Sequence, residues 1–202
     1  MRILRLARNH SVGELRGLAA SVAANSTNAA VRELYQQFLP PEARRKTLGA
    51  EIRPETILAL KGDAGRGREV FLGAAQCSRC HVCQGEGRAF GPELAGLIRK
   101  YDRVQALDQM VNPSRIIAPE FKTTSVTLRD GSEFSGFILK RTADELVLRD
   151  ETLAEHRLAL AQVKESRESL LSAMPEGLLA TMTAQEAADL LEFMFSAPAS
   201  GR

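Results

Sequence analysis

Tryptophan is absent from the chain, and cysteine and histidine number only three each in 202 residues. With so few ligand-type side chains, a zinc site built from two separate ligand pairs has too little to draw on. Neither sign of charge dominates: 27 Lys and Arg against 25 Asp and Glu leave a net charge of +2. No preference for nucleic acid or for an anionic membrane follows from that balance. No run of 18 apolar residues is present, which excludes a transmembrane helix of ordinary length. Paired carboxylates for acid–base work, a glycine-rich phosphate loop and a nucleophile constellation are lacking as well. What remains is an apolar content of 44%, enough for a packed core in one large domain or two small ones.

The scarce residues are concentrated. Cys77, Cys80 and His81 stand together in Gln76-Cys77-Ser78-Arg79-Cys80-His81. Chance placement at these offsets is expected below about one time in a thousand. Zinc is poorly served, because adjacent residues such as Cys80 and His81 rarely reach one tetrahedral centre. A thioredoxin-like dithiol would follow a strand, and nothing before Gln76 reads as one. Covalent haem accounts for every position: two thiols on one helical turn add to the two vinyl groups of a porphyrin, and the next residue becomes the proximal iron ligand. Cys83 is left over as a small residue for the core.

Helical periodicity dominates residues 1–60, with Val31, Leu34, Tyr35 and Phe38 forming one stripe until Pro40-Pro41 stops it. Pro54 suits the first turn of a short helix. Asp63 caps a helix carrying Gly67, Val70 and Phe71 into the haem motif. A glycine-rich loop ends at Gly91-Pro92, and a short helix with Val104, Leu107 and Val111 on one face ends at Asn112-Pro113. Residues 120–166 change character. Their alternation and the turns at Asp130-Gly131 and Thr142-Ala143-Asp144 read as a small antiparallel β unit. Thr183 and Glu186 form a capping box ahead of a last helix with Ala187, Leu190, Leu191 and Met194.

A second axial ligand has six candidates: Met110, Met174, Met182, Met194, His10 and His156. Met110 and Met194 lie on apolar helix faces, Met182 adjoins a cap, and both histidines read as surface residues. Met174 sits in Ser172-Ala173-Met174-Pro175-Glu176-Gly177, a loop shaped by proline and glycine. A methionine packed against the core remains the competing reading for it.

The series CSRCH, GEG, GPEL, NPSRIIAPEF, DGSEFSGFIL, SAMPEGL and AADLLEF resembles the haem-binding cytochrome c domain of the Pirellula/Verrucomicrobium (planctomycete) type, over roughly residues 50–197. The resemblance implies a mainly α fold with a β insertion: a cytochrome c fold interrupted by a small antiparallel β unit before the distal-ligand loop. With the helical N-terminal segment (1–60) read from periodicity, it leaves a cytochrome c domain (61–202), with 120–166 as the insertion. It further implies one covalent haem c on Cys77 and Cys80, iron between His81 and Met174, and the carbonyl of Pro92 holding the His81 ring. Ala173 before the methionine and the extra Cys83 depart from the pattern. The expected role is a one-electron carrier, not an enzyme, serving a dehydrogenase and passing electrons to a cytochrome or oxidase. Its rivals are a haem enzyme or gas sensor with an open distal site, and a partner-docking module with structural haem. Covalent haem is attached outside the cytoplasm and no signal peptide is visible. The chain is therefore expected to belong to a longer exported, periplasmic protein.

Overall fold

The computed structural model describes residues 13–26, 29–73, 75–95 and 100–196. The chain divides into two compact units between Thr47 and Leu48. In the first, α1 (Gly13–Asn25) buries Ala19 and Ala23, one turn apart on one face. A short α2 (Ala29–Tyr35) continues into a 3₁₀ turn, Gln36–Phe38. The expected stripe is only half realised there. Tyr35 and Phe38 meet with ring centroids 6.2 Å apart, while Leu34 is exposed.

The second unit opens with α3 (Pro54–Leu58), whose first residue is proline, and α4 (Ala64–Leu72). Asp63 caps α4 by accepting from the Arg66 backbone N–H at 2.9 Å. Residues 48–60, which periodicity groups with the N-terminal helices, pack here instead: Ile57 is fully buried in the core that contains Phe71. Next come a two-residue hairpin, β1 (Val82–Cys83) with β2 (Glu86–Gly87), and α5 (Arg103–Val111). Asp102 and Gln105 give α5 a full capping box. Its inner face carries Ala106, Leu107 and Met110, not the expected Val104, which is exposed. The last helix, α6 (Ala184–Ser196), has reciprocal bonds between Thr183 and Glu186, at 2.8 Å and 3.2 Å.

Helices α4 and α6 cross in contact at Gly67. A Cβ there would lie 1.9 Å from the Asp189 carbonyl oxygen and 2.8 Å from Cβ of Phe193, so only glycine allows the approach. One turn on, the rings of Phe71 and Phe193 meet at 5.5 Å. Beside the crossing, the Asp189 carboxylate is 2% exposed. It accepts from the Asp63 N–H at 2.8 Å, from Arg66 at 2.7 and 2.9 Å, and from Gln185 at 2.9 Å. Burial opposes its ionisation, but the Arg66, Gln185 and Asp63 bonds prevail and hold the carboxyl below the usual aspartate range.

Between α5 and α6 lie five strands: β3 (Thr123–Leu128), β4 (Glu133–Arg141), β5 (Glu145–Arg149), β6 (Glu155–Ala159) and β7 (Val163–Glu168). They form one antiparallel sheet in the order β6-β5-β4-β3-β7. The Asp130-Gly131 turn joins β3 to β4, with the Ser132 N–H on the Asp130 carboxylate at 2.9 Å. Thr142 organises the next turn, accepting from the Glu145 N–H at 3.1 Å. After β6 a 3₁₀ turn, Leu160–Gln162, carries the chain to the opposite edge, where β7 pairs with β3. Val126, Leu128, Leu146, Leu148 and Leu158 form a core separate from the helical one. The expectation of a mainly α chain, a cytochrome c fold merely interrupted by a β unit, is thereby corrected. The sheet has its own five-strand ladder and its own apolar core, so the unit combines α and β structure and is not an all-α cytochrome c fold.

Alternation along β4 gives the sheet a second apolar contact outside its own core. Phe134 and Ile138 share one face and pack into the sheet core, while Phe137 projects from the other. Its ring stacks on Phe90 at 4.4 Å and meets Phe121 edge-on at 5.7 Å.

Two outcomes follow for stability. Gly67→Ala forces the crossing apart and costs about 3 kcal/mol in urea unfolding. Asp189→Asn costs about 2 kcal/mol at neutral pH. Because folding depresses the Asp189 pKa, its contribution is complete above the unfolded aspartate range and is lost as pH falls through and below that range. The Asn variant therefore loses less stability on acidification than the parent chain, a difference that unfolding midpoints at neutral and acid pH would measure.

Candidate functional site

The haem motif is held by its own backbone. Gln76 adopts the left-handed region (φ 55°) and starts the 3₁₀ turn Cys77–Arg79. The N–H groups of Cys80 and His81 both donate to the Cys77 carbonyl, at 3.1 and 2.9 Å. The chain then reverses through Gln84 (φ 53°) and Gly85 (φ 81°), a two-residue turn with both central residues left-handed, as a type I′ hairpin requires. Gly87, at φ 104°, lies against the motif, and a Cβ there would fall 2.1 Å from the His81 carbonyl oxygen. Two paired arginine–glutamate bonds, at 2.7 and 2.5 Å between Arg68 and Glu86, tie this hairpin to α4.

Beyond the hairpin the chain runs back along the motif. The N–H groups of Phe90 and Gly91 donate to the Cys80 carbonyl, at 3.1 and 2.6 Å. That course brings the Pro92 carbonyl oxygen 2.7 Å from Nδ1 of His81. A proline carbonyl can only accept, so Nδ1 carries the proton and Nε2 keeps its lone pair. Burial lowers the His81 pKa, against the Pro92 bond, which raises it. The ring is thus a neutral imidazole at neutral pH.

A cavity of about 380 Å³ opens beside the ring, a volume within the usual range of small-molecule sites. Cys77, His81, Pro92 and Met174 all line it. Cys80, though half-buried, is not among the lining residues. Most of the remaining wall is apolar: Leu94, Tyr101 and Ala106 with Ile117 and Phe121. Burial pushes the Cys77 thiol up to about 11. Burial also raises Cys83 to about 11, with Glu93 and Glu86 adding to the effect, and that residue sits fully buried in the helical core.

The methionines divide differently from what helix position alone implies. Met110 and Met194 line the cavity alongside Met174 and are themselves buried. Met182 is buried in the core. His156 bonds Asp150 at 2.7 Å in the sheet, and His10 lies outside the described residues. Sequence reasoning missed Tyr101 and the 116–121 stretch as cavity wall. The quoted NPSRIIAPEF segment carried that signal, since its paired isoleucines precede any strand alternation. Among the described residues no three His, Cys, Asp or Glu side chains group as a metal cluster, and the cavity wall carries sulfur, imidazole and the carboxylates of Glu93 and Glu120. One thiol, one imidazole and three thioethers line a largely apolar cavity, with the Cys80 thiol in the same motif, and this set fits a haem group and its iron.

A cytochrome c-553-like protein of Synechocystis sp. (strain ATCC 27184 / PCC 6803 / Kazusa) is 35% identical over 74 residues, covering 37% of this chain and 68% of that protein. The chain belongs to the cytochrome c family. No family model matches it. The comparison reaches cytochrome c and does not extend to the planctomycete type. Membership implies haem c with its iron. Among the described residues no helix is long and apolar enough to cross a membrane.

The backbone around the motif generates a direct expectation. Gly87→Ala combines a left-handed φ with a clash on the His81 carbonyl and destabilises the chain by about 3 kcal/mol. Gln84→Gly keeps the turn and stays within about 0.5 kcal/mol of the parent. Thermal or urea unfolding of the two variants would separate them.

Proposed function

We propose that this chain is a one-electron carrier holding a single haem c. What carries the reading is the meeting of Cys77, His81 and Met174 in one apolar cavity, with the His81 ring fixed by the Pro92 carbonyl. In this reading Cys77 and Cys80 each add a thiol across a vinyl group. A C–S bond forms at one vinyl carbon and the thiol proton ends on the other. His81 offers Nε2 as the proximal ligand and Met174 its thioether as the distal one. Haem c bound in this way supplies the Fe(III)/Fe(II) couple. The residues supply the rest: burial keeps His81 neutral, the Pro92 bond fixes its tautomer and basicity, and the apolar wall keeps water from the metal. A His/Met pair raises the reduction potential and leaves no coordination position open to substrate. A carrier implies redox partners. A dehydrogenase fits as donor and a cytochrome or oxidase as acceptor, in the periplasm or a comparable extracytoplasmic space where haem attachment occurs. The narrower planctomycete resemblance rests on the sequence motifs alone.

Two measurements test this. Protein matured in the periplasm, denatured, acid-extracted and run on a gel, keeps haem peroxidase stain, and Cys77→Ala with Cys80→Ala abolishes it. Stain that washes out of the parent chain would count against covalent attachment. The oxidised protein shows the weak long-wavelength band of sulfur-to-ferric-iron charge transfer. Met174→Ala removes that band, lowers the potential and opens the iron to carbon monoxide, whereas Met182→Ala does none of these. A parent chain that lacks the band and binds carbon monoxide readily is instead a haem enzyme or gas sensor.

A further inference from the structure

The Met174 loop is joined to the rest of the second unit by two serine hydroxyls in series. The Met174 N–H donates to Oγ of Ser172 at 3.1 Å. The Ser172 N–H in turn donates to Oγ of Ser114 at 3.1 Å, across 58 positions of sequence. Ser114 stands just beyond the end of α5, after Asn112 and the buried Pro113. That end is itself tied down: the Asn112 amide donates to the Asp108 carboxylate at 3.0 Å, and Arg115 pairs with the same carboxylate. Helix α5 also places Ala106 and Met110 in the cavity wall. Ser172 lines the cavity as well and is half-buried, so water competes for its hydroxyl only in part.

We propose that Ser114 and Ser172 are positioning residues for the distal ligand: the Ser114–Ser172–Met174 relay holds the thioether at the iron and sets how often that ligand lets go. The proposal rests on the reading of Met174 as the distal ligand. Its physical basis is that a methionine sulfur is a neutral, weak ligand on a flexible side chain, so its hold depends on where the backbone keeps it. The sheet leaves Leu170 and Leu171 exposed just before Ser172, so the approach to the loop is not packed down by its own side chains. The relay is the fixed point after them. Both serines act only through oxygen acceptors, which alanine removes and threonine retains.

The experiment follows carbon monoxide capture by the reduced holoprotein, which requires the thioether to leave. Alongside it run the charge-transfer band and the urea midpoint. Ser172→Ala raises the capture rate about fivefold, the population change that one neutral hydrogen bond supports. Ser114→Ala acts in the same direction, and both weaken the band. Ser172→Thr restores the parent rate. Met174→Ala, in parallel, gives the fully open limit. Alanine variants that capture at the parent rate, while Met174→Ala captures fast, overturn the relay and leave the ligand assignment intact. If Met174→Ala itself keeps the parent band and rate, the ligand assignment is wrong and the relay falls with it. If Ser172→Ala fails to load haem, Ser114→Ala, which sits outside the methionine loop, decides the outcome alone. Faster capture that only follows a lowered urea midpoint, with no rescue by threonine, also rejects the proposal.

Discussion

The helical part of the second unit depends on the contact between α4 and α6 at Gly67. Two helices more than a hundred positions apart in sequence meet backbone to backbone, with no side chain between them. The helix that leads into Cys77 is thereby seated on the helix that follows Met174. Asp189 reinforces the same point chemically. Its buried carboxylate collects donors from α4, from the cap of α4 and from its own helix. An unpaired charge at 2% exposure would be costly, and the arrangement is stable only when all of these partners are in place together. The His81 and Met174 ends of the cavity are therefore registered to each other through a contact that touches neither.

The His81 side of the cavity is built mostly from main chain. Cys77, Cys80, Phe90 and Gly91 share backbone bonds, and two side-chain bonds join them, His81 to the Pro92 carbonyl and the Cys77 thiol to the Ala75 carbonyl. Main-chain scaffolding resists change because any displacement breaks several bonds at once. The Met174 side is of another kind, a loop held by two hydroxyls. The cavity thus joins a half fixed by several backbone bonds and a half fixed by two side-chain oxygens.

Local chemistry was readable in the sequence wherever a short stretch dictates its own geometry. The Cys-x-x-Cys-His offset, the proline of α3, the Asp63 cap, the Thr183–Glu186 box and the Asp130-Gly131 turn each depend on neighbours within a few positions. Long-range facts were not readable. Nothing around Val104 says that it faces solvent while Met110 lines the cavity, because that is settled by α6 and the loop packed against α5. Gly67 reads as a weak position in a helix until its partner is seen. The β stretch was visible through its turns, but its weight in the fold was underestimated. Alternation reports that strands exist and is silent on whether they will gather a core of their own. Phe137 shows the same limit, since its attachment to Phe90 follows from which face of β4 meets the loop after the β1–β2 hairpin.

The pairing of β7 with β3 has a consequence for how the chain assembles. The Ser169 N–H donates to the Thr123 carbonyl at 2.8 Å, so the sheet begins and ends at the same place. Seen from the helices, a segment of more than forty residues has its two ends side by side and spans no distance. Its β3–β4, β4–β5 and β5–β6 ladders join strands adjacent in sequence, and β7 closes the sheet on β3, so it can collapse without waiting for the rest. Once it has done so, the path from α5 to α6 is short, and the entropy of bringing α6 back to α4 is that of a small loop rather than a long one. The sheet lengthens the polypeptide without lengthening the journey between His81 and Met174.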